Sequence, residues 1–290
     1  MRRRTGLASL PVELLYEIQL YATSENLPLI CKHFYAIYSS TPASFRARYI
    51  IARALRATSG HTNFDIVSRA LRYPICSQPV LDAICRQAPK YGISLQTYRP
   101  KLPKRLFYNL RPPASRSAPR WEERDHPLPF LRYLYSSSSF PAPDPSSHDG
   151  YALTKAVHAR FTPLVEFLLD QGASPRCKNG LAVFVAIRMN NIAMVKMLVE
   201  RDGRQGIEPV EGAQNSSSTQ TDGIQGTGDA CRVGKSKLKA GKKRKLEDRI
   251  QVTSEMLRAA VKSHAKEVID WLMEEKGCVP DMQTLLLLTR

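Results

Sequence analysis

The sequence predicts a mainly α-helical protein in which an N-terminal helical module precedes an irregular solenoid of helical hairpins, interrupted by one disordered insertion. Three observations carry this reading. One apolar template recurs along the C-terminal half with small residues in fixed columns, the first forty residues hold two amphipathic stretches, and residues 204–250 lose nearly every aromatic and large aliphatic side chain.

The template is clearest from Gly150 to Ala173, which aligns without a gap on Gly180 to Gly203, thirty residues on. Leu153, Ala156, Leu164, Val165, Leu168 and Leu169 fall on Val183, Ala186, Met194, Val195, Leu198 and Val199. A third copy, 104 residues after the first, places Leu257, Ala260, Val268, Ile269, Leu272 and Met273 in the same columns. Self-similarity of this kind marks a repeat architecture. Each copy reads as two short antiparallel helices, the first kept thin by Ala156, Ala186 or Ala260. In the second, Leu164, Val165, Leu168 and Leu169 recur at i, i+1, i+4 and i+5, a wide apolar stripe that needs a neighbour to cover it. Thr162-Pro163 suits a helix start, with threonine as cap and proline where no N–H is needed. Gly172 suits the left-handed residue that ends the helix, and Asn179-Gly180 a tight turn before the next copy. These units resemble the ankyrin repeat, a helix–turn–helix unit of about 33 residues that stacks into a solenoid. Tyr151-Ala-Leu-Thr154 and Leu181-Ala-Val-Phe184 stand where that family has Thr-Pro-Leu-His. The resemblance implies a surface that holds a client protein.

Upstream, Phe130-Leu131-x-x-Leu134-Tyr135 repeats the second-helix pattern, and Val80-Leu81-x-x-Ile84-Cys85 repeats it more faintly, with Ala70 as a small-residue column. Between them Pro100, Pro103, Pro112, Pro113, Pro119, Pro127 and Pro129 predict an extended connection, because proline breaks helix interiors. Residues 204–250, rich in Gly, Ser, Thr, Gln and Lys, read as a disordered insertion into a solenoid loop, past which the fold resumes. The expected organisation is a helical module at 1–58, a helical connector open to reading as degenerate repeats at 59–135, and a linker at 136–149. Repeats follow at 150–203, then the insertion at 204–250, and a further repeat with a truncated C-terminal helix at 251–290. The stripe Val268, Ile269, Leu272 and Met273 is expected to be covered only in part by Leu285 to Leu288, leaving an exposed apolar patch.

In the N-terminal module, Ser9 can cap a helix with Pro11 near its first position, and Leu14, Leu15, Ile18 and Tyr21 share a face. A second stripe holds Ile30, Phe34, Ile37 and Tyr38. Leu10-Pro11-Val12-Glu13-Leu14-Leu15-Tyr16-Glu17-Ile18 followed by Cys31-Lys32-His33-Phe34 resembles the F-box, whose signature is Leu-Pro-x-Glu-Leu-Leu-x-x-Ile and then Cys-Lys-x-aromatic. The resemblance implies docking through Leu10, Pro11, Leu14, Leu15, Ile18, Cys31, Lys32 and Phe34 onto a Skp-family adaptor and, through it, a cullin ubiquitin ligase. The interval between the two halves is shorter than in the family, which implies a truncated middle helix. A plain helical hairpin packed on the repeats is the other reading of the same stripes. F-box first and degenerate ankyrin repeats after is an order similar to that of fungal-type F-box proteins.

Lys+Arg exceed Asp+Glu by 43 to 26, a net charge of +17 with a pI near 9.8. Acidic partners such as nucleic acid, anionic lipid or an import receptor therefore come into consideration, of which the import receptor is the one expected. Lys242-Lys243-Arg244-Lys245, inside the insertion, reads as a nuclear-localisation signal for an import receptor, with a solvated tail as the alternative and direct nucleic-acid binding the least favoured. The six cysteines form no C-x-x-C pair and the six histidines no H-x-x-x-H pair, so reduced thiols, no metal and a place in the nucleus and cytoplasm are expected. No apolar run approaches the ~18 residues of a membrane span, and Pro11, Glu13 and Glu17 interrupt any signal-peptide core. Gly228 to Ser236 has the wrong spacing for a phosphate-binding loop, and no Gly-x-Ser-x-Gly elbow is present. No catalytic residue and no cofactor are expected. The sequence thus points to a non-enzymatic interaction adaptor of a ubiquitin ligase, or else to an ankyrin-repeat scaffold or nuclear regulator with no ligase link.

Overall fold

The computed structural model describes residues 6–24, 26–112, 121–200 and 248–288. The chain is mainly helical, and among the described residues the only β pairing is an isolated bridge between Lys101 and Asp144. Three hairpins sit where the template recurs: α8 (Ser147–His158) with α9 (Thr162–Asp170), α10 (Cys177–Arg188) with α11 (Ile192–Val199), and α12 (Ser254–Lys262) with α13 (Lys266–Asp270), which runs on into a π turn over Trp271–Glu275. The first helices pack side by side, as do the second helices.

The backbone repeats as the side chains do. Each hairpin turns through a left-handed residue, Arg160, Asn190 or His264, with φ of 56°, 48° and 52°. Each turn closes through the same hydrogen bond: Phe161 N–H to Ala156 O at 3.0 Å, Asn191 N–H to Ala186 O at 3.2 Å, and Ala265 N–H to Ala260 O at 3.1 Å. The offsets are again thirty and 104 residues. Gly172 ends α9 at φ 84°, and Ala173 N–H then reaches Leu168 O at 2.9 Å, a helix-ending pair that satisfies an otherwise orphaned carbonyl. In the third copy the π turn adds one residue, so Cys278 rather than residue 277 donates to Leu272 O, and Gly277 takes the positive φ.

The entry to α8 and to α10 is a run of three left-handed residues, His148-Asp149-Gly150 and Lys178-Asn179-Gly180, whereas α12 is entered through extended Thr253. This run replaces the expected two-residue tight turn. At Gly150 glycine is required by close approach as well as by φ, since a Cβ would lie 2.7 Å from Cys177 Cβ; at Gly180 the φ of 79° is the constraint, because the atoms a Cβ would meet at 2.9 Å, Ile250 Cδ1 and Met256 Cε, are ends of flexible side chains. Two expected caps are corrected. Phe161, not Thr162, occupies the position before α9, and Ser9 lies in a short 3-10 turn with Pro11 at the start of the next helix. Asn191 and Thr253 do cap, accepting from Met194 N–H at 3.2 Å and Met256 N–H at 3.4 Å.

Four further helices extend the stack upstream: α4 (Ile66–Leu71), α5 (Gln78–Gln87), α6 (Arg105–Tyr108) and α7 (Leu128–Ser136). Val80, Leu81, Ile84, Leu131 and Leu134 are buried, as the faint templates predict, and Ala70 has no exposed surface. Arg105 Nε donates to Leu71 O at 2.5 Å between first helices. The Tyr133 hydroxyl donates to Asp82 and the Tyr135 ring meets Phe167 edge-on at 5.5 Å, linking α5, α7 and α9. Two expectations fail here. The proline-rich stretch is not merely extended, since Leu102, Leu106, Phe107 and Leu110 are buried in it and α6 forms one turn. Residues 136–149 are no free linker: Phe140 is buried, Asp144 N–H bonds Pro100 O at 2.8 Å, and Ser174 N–H bonds Ser146 Oγ at 3.1 Å.

At the N-terminus, α1 (Val12–Ala22) and α2 (Lys32–Ser39) flank a 3-10 turn at Leu27–Leu29. The longer α3 (Ala43–Ala57) buries Ala47, Tyr49, Ile50, Ile51 and Ala54 in the main core with α4 and α5, so the border near residue 58 does not separate two cores. At the other end, α14 (Met282–Leu288) packs on α12 rather than over α13. Val268 and Leu272 are buried and Ile269 half-buried without it, and the exposed apolar surface lies at Met273, Val279, Met282, Leu285 and Leu286.

Candidate functional site

The N-terminal helices close on a core of their own. Leu15, Phe34 and Tyr38 are buried together, with Leu10, Tyr16, Ile18, Leu27 and Ile37 packed around them. The Tyr38 hydroxyl donates to Leu15 O at 3.0 Å, and burial raises its pKa above the usual phenol value. Tyr16 stacks obliquely on Phe45 of α3, with ring centroids 4.8 Å apart.

This unit is held on α3 by cations and a phenol that collect carbonyls at the C-terminal end of α1. Arg56 donates to Tyr21 O and to Thr23 Oγ1, both at 2.8 Å, Arg53 donates to Thr23 O at 3.2 Å, and the Tyr49 hydroxyl donates to Ser24 O at 3.0 Å. The carbonyls of a helix's last turn have no partner in the helix and carry its negative pole, so guanidinium groups are well matched to them.

Of the residues expected to meet a partner, Leu15 and Phe34 are core residues at 0% and 3% exposure and present no surface for docking. That corrects their assignment as contact residues: these two side chains are taken up by the module's own core, while Leu14, Tyr21 and Ile30 of the same stripes stay exposed. Leu10 and Ile18 are half-buried around that core, whereas Pro11, Leu14, Cys31 and Lys32 are exposed. The structure also exposes large apolar side chains that the F-box pattern does not single out, namely Tyr21, Leu29, Ile30 and Tyr35, each more than 60% open to solvent. Tyr21 and Ile30 lie on the apolar stripes that the sequence predicts for the two helices, and the structure leaves both outside the core. The basic run Lys242, Lys243, Arg244 and Lys245 lies outside the described residues.

Among the described residues no three His, Cys, Asp or Glu side chains gather as a metal site would require, and no helix is long and apolar enough to cross a membrane. No protein-family model matches the chain, and neither a curated protein nor a solved structure does.

Proposed function

We propose that the chain is a non-enzymatic adaptor in which the N-terminal module, F-box-like, docks on a Skp-family adaptor of a cullin ubiquitin ligase while the stacked hairpins, ankyrin-like, hold a client protein. The observation that carries this reading is the concentration of exposed apolar side chains, Leu14, Tyr21, Leu29, Ile30 and Tyr35, on one small module whose own core is already complete. Apolar surface left over after a core has closed marks an interaction site. Covering one leucine or isoleucine side chain is worth about 1.5–3 kcal/mol, so a few such contacts supply a usable affinity. Nuclear entry through Lys242 to Lys245 belongs to the same proposal.

The test is capture of a Skp-family adaptor by the full chain. Leu14→Asp combined with Ile30→Asp should abolish capture with helicity unchanged, because both side chains face solvent. Undiminished capture by this variant, or no capture by the parent chain, overturns the ligase reading. The ties from Arg53 and Arg56 to the end of α1 favour one second reading, in which the module caps the stack of an ankyrin-repeat scaffold without any ligase.

A further inference from the structure

Between the N-terminal module and the start of the stack lies a cleft of about 1080 Å³. Its walls carry five cations, Arg46, Arg53, Arg69, Arg72 and Lys101, against the single carboxylate of Asp65. Asp65 is already engaged: it caps α4, accepting the Ser68 N–H at 2.9 Å and the Ser68 hydroxyl. Among the described residues no ion pair or hydrogen bond holds the Arg69 or Arg72 guanidinium, and Arg69 lies over the Phe64 ring at 4.9 Å. Arg46 donates through Nε to Thr41 Oγ1 at 3.1 Å and through one terminal nitrogen to Ser39 O, which leaves part of its fork of five donors uncommitted.

A second observation comes from α1. Gln19 lines the same cleft at 5% exposure, and its Oε1 is buried without a hydrogen-bond partner. Native proteins leave few buried polar atoms unsatisfied, and those that remain ask for a reason.

From these groups we infer that the cleft binds a small molecule carrying two or more phosphoryl groups, with Gln19 accepting a hydrogen bond from a hydroxyl or amino group of the same ligand. Guanidinium forks match phosphate oxygens in geometry and charge. The excess of four positive charges on the walls equals what a triphosphate brings near neutral pH. The cleft also has about the volume of small-molecule sites, which run from roughly 300 to 1,000 Å³. The cations come from α3, α4 and the segment at Lys101 and wall one concavity, rather than following one another along a groove as an extended acidic peptide would require.

Calorimetric titration of the full chain with inorganic tripolyphosphate and with ATP, both without metal at about 0.15 M salt, tests this, since long-range attraction by the +17 chain is largely screened there. Saturable binding is expected. Arg72→Gln with Lys101→Gln, both exposed positions, should weaken it at least about tenfold, the scale of one lost charge-assisted hydrogen bond. Replacing Lys242 to Lys245 by alanine should leave it unchanged. Tighter binding of ATP than of tripolyphosphate supports both halves of the inference, placing a nucleoside hydroxyl or amine at Gln19; equal binding supports the phosphoryl site and overturns the role given to Gln19. No saturable binding of either probe overturns it. So does equal affinity in the Arg72/Lys101 variant, or a loss that follows the Lys242–Lys245 variant instead. Binding of an unphosphorylated Glu-rich peptide in place of tripolyphosphate overturns it in favour of a protein segment. The Leu14→Asp/Ile30→Asp variant should bind both probes as the parent does, which separates this cleft from adaptor capture.

Discussion

Replacing Gly150 by alanine probes the register of the stacked hairpins. Gly150 has φ +71°, and a Cβ there would meet Cys177 Cβ at 2.7 Å and Cys177 Sγ at 3.3 Å, in the next hairpin. Gly172, at φ +84°, has nothing within 4 Å of its Cβ position and serves as the control. At both sites a left-handed alanine costs about 1–2 kcal/mol, offset by about 0.4–1 kcal/mol because the unfolded alanine chain has less entropy to lose. The net cost is about 1 kcal/mol for Gly172→Ala. Gly150→Ala adds a close contact between two Cβ atoms, neither of which can rotate away, and overpacking of that kind costs about 1–3 kcal/mol. A total of about 2–4 kcal/mol against about 1 kcal/mol separates the two variants by on the order of 1 M urea, for a slope of about 1–3 kcal/mol per molar. Urea titration followed by far-ultraviolet circular dichroism reads this difference. Cys177→Gly removes the opposing Cβ and should recover most of it in the double variant, a coupling that a double-mutant cycle isolates. Equal midpoints for the two alanine variants, or no recovery in the double, would refute the thirty-residue register.

Further outcomes follow from the N-terminus, the insertion and α14. Leu15→Asp should open the N-terminal module, because it forfeits about 1.5–3 kcal/mol of burial and leaves a carboxylate beside Phe34 and Tyr38. Limited proteolysis should then cut within residues 12–39, whereas Leu14→Asp should stay resistant, and equal resistance of both would contradict the assigned core. Replacing Lys242, Lys243, Arg244 and Lys245 by alanine should move a fluorescent fusion from nucleus to cytoplasm with helicity unchanged; unaltered nuclear accumulation would remove the import assignment. Hydrogen bonds from the Thr284 hydroxyl and N–H, and then Arg258, hold the Asp281 carboxyl below its ordinary pKa. A carboxyl depressed in the folded state stabilises above its unfolded pKa near 3.9 and loses that contribution as pH falls through the folded value. Protection factors in α14, taken against the exchange of an unstructured chain at the same pH, should therefore fall below about pH 4, and Asp281→Asn should show low protection already at neutral pH. Pre-existing fast exchange in the parent chain would show that the Asp281 cap does not hold this helix.

The repeats were legible because they are written twice, once in side chains and once in backbone demands. Ala156, Ala186 and Ala260 are buried in the first helices, and their carbonyls accept the turn-closing hydrogen bonds. Asp144-Pro145 and Ser174-Pro175, thirty residues apart, were a further signal: they anchor the loops that bond one hairpin to the next, through Asp144 N–H to Pro100 O and Ser174 N–H to Ser146 Oγ. A reading based on apolar columns passes over them because neither residue pair is apolar. For the same reason residues 136–149 looked like a linker, although their hydrogen bonds and Phe140 fix them to the stack.

Leu14 and Leu15 show where sequence reasoning stops. Successive helical residues point about 100° apart, so an apolar stripe of ordinary width includes both, and periodicity assigns them one role. Only the partner on the other side decides between them. Phe34 and Tyr38 approach on the Leu15 side, and the Tyr38 hydroxyl bonds the Leu15 carbonyl, so Leu15 is consumed by the module while Leu14 is left to solvent. Those contacts join residues 15 and 38, across a turn too irregular for any period to span. The basic cleft was illegible on the same grounds, since Arg46, Arg69, Arg72 and Lys101 are scattered over 56 positions, and scattered surface arginine is ordinary until the fold gathers it. The gathering element is α3: one face of it belongs to the main core, its arginines hold the end of α1, and the cleft opens between the two. Any partner that pulls α1 from α3 must break the Arg53 and Arg56 bonds to the Tyr21 and Thr23 carbonyls, and in doing so it alters the walls that hold Gln19 and Arg53.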